Sequence, residues 1–100
     1  MMYPQRVLIV DDEPLNVRLL ATILASEGYD IIRSYSGKDA LNKAEQELPD
    51  LILLDIVMPD LNGYEVTRRL KKMAATCDIP VVLITTYTET EDKVKGLQAG

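Results

Sequence analysis

The sequence predicts an α/β fold, a doubly wound parallel sheet with helices on both faces, and three observations carry that prediction. Short unbroken apolar runs recur: "VLIV" at 7–10, "LILL" at 51–54 and "VVLI" at 81–84. Amphipathic helical patterns stand between them. Acids or a hydroxyl close the runs, Asp11 and Asp12 after the first, Asp55 after the second and Thr85 after the third. An unbroken apolar run suits a strand covered on both faces, whereas a strand with one wet face alternates. Strands alternating with helices imply parallel neighbours joined by crossovers of one hand.

After "VLIV", Pro14 suits the first turn of a helix, where its missing N–H costs nothing. Val17, Leu20, Ala21 and Leu24 share one face of that helix, and Gly28 caps its end. "YDIIRSY" at 29–35 is a weaker, partly alternating strand. Ser36 with Asp39 has the spacing of a capping box, and Ala40, Leu41, Ala44 and Leu48 follow at helical intervals. Beyond "LILLD", the loop "IVMPDLNG" is rich in turn formers. Val66, Leu70 and Met73 then mark a helix whose Arg68, Arg69, Lys71 and Lys72 point largely to water. "VVLI" follows Pro80, and Thr88 with Glu91 opens a last helix through Val94 and Leu97.

One hundred residues, 47% of them hydrophobic, suffice for one domain with one core. No apolar run approaches the length of a membrane span and no signal-peptide stretch opens the chain, so a soluble cytoplasmic protein is expected. With no histidine and one cysteine, Cys77, the chain lacks a histidine base and an internal disulfide, and a zinc site is not expected. A net charge of −5 disfavours nucleic-acid binding. Whatever chemistry there is falls to the acids.

Parallel strands all finish at one edge, so Asp11, Asp12, Asp55 and Thr85 gather along one rim, where sheets of this class bind ligands. Adjacent strands lie about 4.8 Å apart, and two unit charges about 5 Å apart repel by roughly 3 kcal/mol at an effective dielectric near 20. A cation turns that repulsion into a site. All-oxygen ligands select a hard ion, and Mg²⁺ fits best because it accepts few carboxylates and keeps waters that a phosphate oxygen replaces. Three acids, a metal and a hydroxyl suggest phosphoryl chemistry, with Asp55, alone at its strand end, as nucleophile. Taken singly, each feature has a plainer reading. Acids before a helix favour its dipole by about 0.3–1 kcal/mol each, Asp55 suits a turn, and Thr85 suits a satisfied hydroxyl. Their convergence on one rim tips the balance.

The motifs "VLIVDDEP", "PDLILLDIVMPDLNGYE" and "IPVVLITT", in this order and spacing, closely resemble the receiver domain of bacterial two-component response regulators, and "KVKGLQAG" resembles its fourth helix. The resemblance spans essentially the whole chain, as one receiver domain over residues 1–100. It implies the flavodoxin-like strand order 2-1-3-4-5. It further implies that Asp55 accepts a phosphoryl group from a sensor histidine kinase or phosphotransfer protein. Asp12 is then a direct Mg²⁺ ligand, Asp11 a ligand mostly through water, and the backbone carbonyl of Val57 completes the set. Thr85 is the switch hydroxyl that shifts the following loop and helix toward an output domain or partner. The chain on this reading is a signalling switch that catalyses at most its own phosphorylation and dephosphorylation.

Two departures stand out. Thr86 occupies a place where the family usually has a very small residue, which predicts altered autodephosphorylation. The family also has a fifth strand, with a phosphoryl-pairing lysine and an aromatic switch residue, and a fifth helix. The sequence ends at Gly100 before both, and Tyr87 is not that aromatic. An incomplete receiver leaves "VVLIT" as an open edge, so self-association along the fourth strand is expected. Three other functions rank lower. A receiver-like binding module that is never phosphorylated would not need the full acid set with Asp55 and Thr85, although the absent lysine would produce that behaviour in an incomplete receiver. A haloacid-dehalogenase-type phosphohydrolase wants an acid two residues after the nucleophile, where Val57 stands. A nucleotide site wants a glycine-rich loop, and "VDDEPLN" is none.

Overall fold

A computed structural model describes residues 4–84. Seven elements alternate along them: β1 (Arg6–Val10), α1 (Pro14–Ser26), β2 (Asp30–Ser34), α2 (Gly37–Glu47), β3 (Leu51–Asp55), α3 (Gly63–Lys72) and β4 (Val81–Ile84). Every strand pair is parallel and the order is β2-β1-β3-β4, as expected. Tyr3, Thr85, Thr86 and Tyr87, and the helix anticipated from Thr88 and Glu91 through Val94 and Leu97, lie outside the described residues.

The unbroken apolar runs serve two faces at once. Side chains alternate across a strand, so Leu8 and Val10 of β1 with Ile52 and Leu54 of β3 face α2 and α3, meeting Ala40, Ala44, Val66 and Leu70. Val7 and Ile9 face the other way, onto Val17 and Ala21 of α1, with Leu20, Leu24, Leu51 and Leu53 packed around them. Neither face could be polar. β4 differs: it is the last strand of the sheet among the described residues, and Val82 is 46% exposed, so "VVLI" is there only half-buried.

Helix ends follow the local sequence. Pro14 opens α1, and Gly28 at φ +95° closes it, with Gly28 N–H bonding the Ala25 carbonyl and Tyr29 N–H the Leu24 carbonyl. Ser36 Oγ accepts from the Asp39 N–H at 3.1 Å, but Asp39 does not return the bond as a capping box would. Its carboxylate takes the Ser34 hydroxyl at 2.8 Å and pairs with Lys43 at 3.0 Å instead. Leu48, expected on the core face of α2, is its left-handed cap at φ +49° and is 52% exposed. The cationic face of α3 is less free than its pattern suggests. Glu65 pairs with both Arg68 and Arg69, and Lys71 donates to the carbonyls of Cys77 and Ile79. No helix among the described residues is long and apolar enough to cross a membrane.

Candidate functional site

Strand order decides where the site lies. β1 sends its connection toward β2 on one side while β3 sends its own toward β4 on the other, which opens a crevice beyond their carboxyl ends. Register does the rest. Val10 pairs with Leu54, so the residues next along, Asp11 and Asp55, stand side by side at the mouth of that crevice. Asp12 follows on the first loop. Carboxylate oxygens of Asp11, Asp12 and Asp55 all lie within 4.8 Å of one another, so three of the anticipated acids are together.

The three acids are not equivalent. Asp11 is wholly buried, and both of its oxygens have donors: Oδ1 accepts the Glu13 N–H at 2.9 Å and Oδ2 the Asn16 side-chain amide at 3.3 Å. Burial pushes its pKa up, those two donors pull it back, and neighbouring Asp12 pushes it up again. Asp55 is 2% exposed, and its buried Oδ1 has no hydrogen-bond partner among the described residues. Burial first, and then the charges of Asp11 and Asp12, raise its pKa to about 6, against the nearby N–H groups of Ile56 and Val57. A buried carboxylate oxygen without a donor, beside two further acids, is the electrostatic setting a hard cation relieves. The donor set fits Mg²⁺, which binds through one or two carboxylates and retained waters.

The loop after Asp55 is held from two sides. Gly63, at the start of α3, donates its N–H to the Ile56 carbonyl at 2.7 Å. A Cβ there would sit 2.6 Å from the Asp55 carbonyl oxygen, so the helix can approach the site this closely only with glycine. On the far side Asp60 accepts the N–H groups of Gly37 and Lys38 at 3.0 and 2.9 Å, joining the loop to the first turn of α2. Those bonds lower the Asp60 pKa against the opposing pull of desolvation. Val57 lies within this held segment and is 43% exposed, while Met58 beside it turns into the core. Thr85 lies outside the described residues; Ile84 before it pairs with Asp55.

Asn16, Asp60 and Gly63 were not singled out as site residues from the sequence. Asp60 and Gly63 had a signal there only as turn formers in the loop after Asp55.

The family model described as the response regulator receiver domain matches residues 7–100. Protein PilH of Pseudomonas aeruginosa is 44% identical over 95 residues, which are 95% of this chain and 78% of PilH. Response regulator PleD of Caulobacter vibrioides is 45% identical over 95 residues, but the match spans only 21% of its length. Among solved structures, the N-terminal domain of a response regulator receiver protein from Methanoculleus marisnigri superposes with a TM-score of 0.79 at 36% identity, covering 94% of this chain and 76% of that one.

Proposed function

The chain belongs to the response regulator receiver domain family, and on that premise we propose that it is a switch set by phosphorylation of Asp55. The observation that carries the reading is the buried Asp55 Oδ1 of the acid cluster, which has no hydrogen-bond partner among the described residues. No hydrogen bond among the described residues occupies that oxygen, which leaves the Asp55 carboxylate open to incoming groups. With a pKa near 6, Asp55 is mostly ionised at neutral pH and able to attack. In that step the Asp55 oxygen–phosphorus bond forms as the bond from phosphorus to the donor breaks, and the donor leaves with the electron pair. The donor is a sensor histidine kinase or phosphotransfer protein.

Asp12, Asp55 and the carbonyl of Val57 would hold Mg²⁺ directly, with Asp11 acting through water. When bound, the ion offsets the charge of the phosphoryl oxygens that would otherwise be repelled by three acids. Asp11 is buried and fixed by two donors, so it supplies a stationary negative charge to the site. The Asp60 bridge and the Gly63 approach keep the segment carrying Val57 in place. Thr85 is the hydroxyl that would bond the phosphoryl group and pass the change to the surface met by an output domain or partner.

Intact mass after incubation with acetyl phosphate tests the reading. The expected result is a gain of one phosphoryl group that needs Mg²⁺ and vanishes in Asp55→Asn. The same gain in Asp55→Asn would move the acceptor elsewhere, and no gain in the unmodified chain would favour a module that only binds partners.

A further inference from the structure

Each acid in the cluster has a different supply of protein donors. Asp55 Oδ1 has none among the described residues. Asp11 has one on each oxygen, a backbone N–H from Glu13 and, reaching back from the first turn of α1, the side-chain amide of Asn16. The Glu13 bond comes from the backbone of the turn, and any residue at 13 except proline would supply it. The Asn16 bond depends on the side chain. It spans 3.3 Å and occupies the second carboxylate oxygen.

We propose that Asn16 is a positioning residue that keeps Asp11 from binding a divalent ion directly, and so biases this site toward Mg²⁺ over Ca²⁺. The inference rests on the metal site of the proposed function. Mg²⁺ takes one or two carboxylates and holds its remaining waters, whereas Ca²⁺ takes six to eight oxygens, mono- or bidentate, at greater distance. An Asp11 carboxylate engaged on both oxygens is a good acceptor for a metal-bound water and a poor direct ligand. Without the Asn16 amide, Asp11 Oδ2 is free to turn toward the ion. Three direct carboxylates make a site better suited to Ca²⁺. The effect belongs to a hydrogen bond behind the ligands, the kind of contact that shifts metal affinity by about 10–100-fold.

Calorimetric titration of MgCl₂ and CaCl₂ into the metal-free protein, with no phosphodonor present, reads the effect. The comparison is between the unmodified chain, Asn16→Ala and Asn16→Gln, with thermal melts to verify folding. The expected result is that Asn16→Ala lowers the Mg²⁺/Ca²⁺ affinity ratio by about tenfold, chiefly through tighter Ca²⁺, and that Asn16→Gln restores part of it through its amide. Should Asn16→Ala not fold, Asn16→Ser, which retains a short donor, is compared with Asn16→Val, which has none. An unchanged ratio in the donor-free variants, with Mg²⁺ still bound and still lost in Asp55→Asn, overturns the role of Asn16 alone. Absence of binding by either ion to the unmodified chain overturns the metal site itself, and the inference with it.

Discussion

At the N-terminal end of the sheet, Arg6 collects three acids from separate elements. Its backbone N–H donates to Asp50 at 2.8 Å, and its guanidinium bonds the Glu47 carbonyl and side chain at 2.6 and 2.5 Å and lies 3.8 Å from Asp30. At the C-terminal end, Asp11, Asp12 and Asp55 face one another, and no ion pair among the described residues reaches any of them. Both ends hold three carboxylates, yet the first is half-exposed and gathered around a cation, while the second is largely buried and left in mutual repulsion. Folding stability alone would favour the first arrangement at both ends. On the proposed function, the second takes its counter-charge from solution as Mg²⁺.

The strongest way to break this contrast is to spoil the backbone that brings α3 against the acid rim. Gly63→Ala places a methyl group against the Asp55 carbonyl and the Ile56 Cα, neither of which can rotate away. A loss of about 3 kcal/mol in urea-unfolding free energy is expected, the upper end for overpacking, together with loss of metal binding. A milder distortion comes from pH. The folded-state pKa of Asp55, about 6, stands above its unfolded value of 3.8, so the folded form holds this proton more tightly. Metal-free stability should therefore fall as pH rises from about 4 to about 6, by at most about 3 kcal/mol from this group, and level off above. Saturating Mg²⁺ should flatten that fall, which denaturant melts across the range would show.

The opposite end sharpens the comparison. Arg6→Ala leaves Glu47 without its cation and should cost about 1–2 kcal/mol, discounted because the pair is partly exposed, with Mg²⁺ affinity unchanged by calorimetry. Asp60→Ala is the smallest change. Removing the acceptor of the first two N–H groups of α2 should cost about 1 kcal/mol in the same unfolding measurement and weaken Mg²⁺ binding a few-fold by loosening the segment that carries Val57.

The contrast also marks what the sequence could disclose. Buried parallel strands advertise themselves, because Val7 to Val10 and Leu51 to Leu54 must be apolar on both faces. Acids ending such strands are placed by the parallel rule alone, so Asp11, Asp12 and Asp55 were legible together. Partners set by register were not. Arg6 meets Glu47 across 41 positions, and Asp60 meets Gly37 across 23, at distances that no local pattern encodes. Thr76, wholly buried with its hydroxyl on the Leu70 carbonyl at 2.7 Å, gave no signal because a threonine after a helix reads as a solvated turn. Leu48 misled for a related reason: it kept helical spacing one residue beyond the last helical turn, where the chain reverses into a left-handed cap.

Thermal unfolding of the unmodified chain and Asp55→Asn near neutral pH, first with chelator and then with Mg²⁺, tests the central claim most directly. If the acid rim is a cation site held in repulsion, Asp55→Asn melts higher than the unmodified chain without metal. Mg²⁺ then raises the melting point of the unmodified chain far more than that of the variant. A variant that melts lower without metal, and gains as much from Mg²⁺ as the unmodified chain, would contradict it.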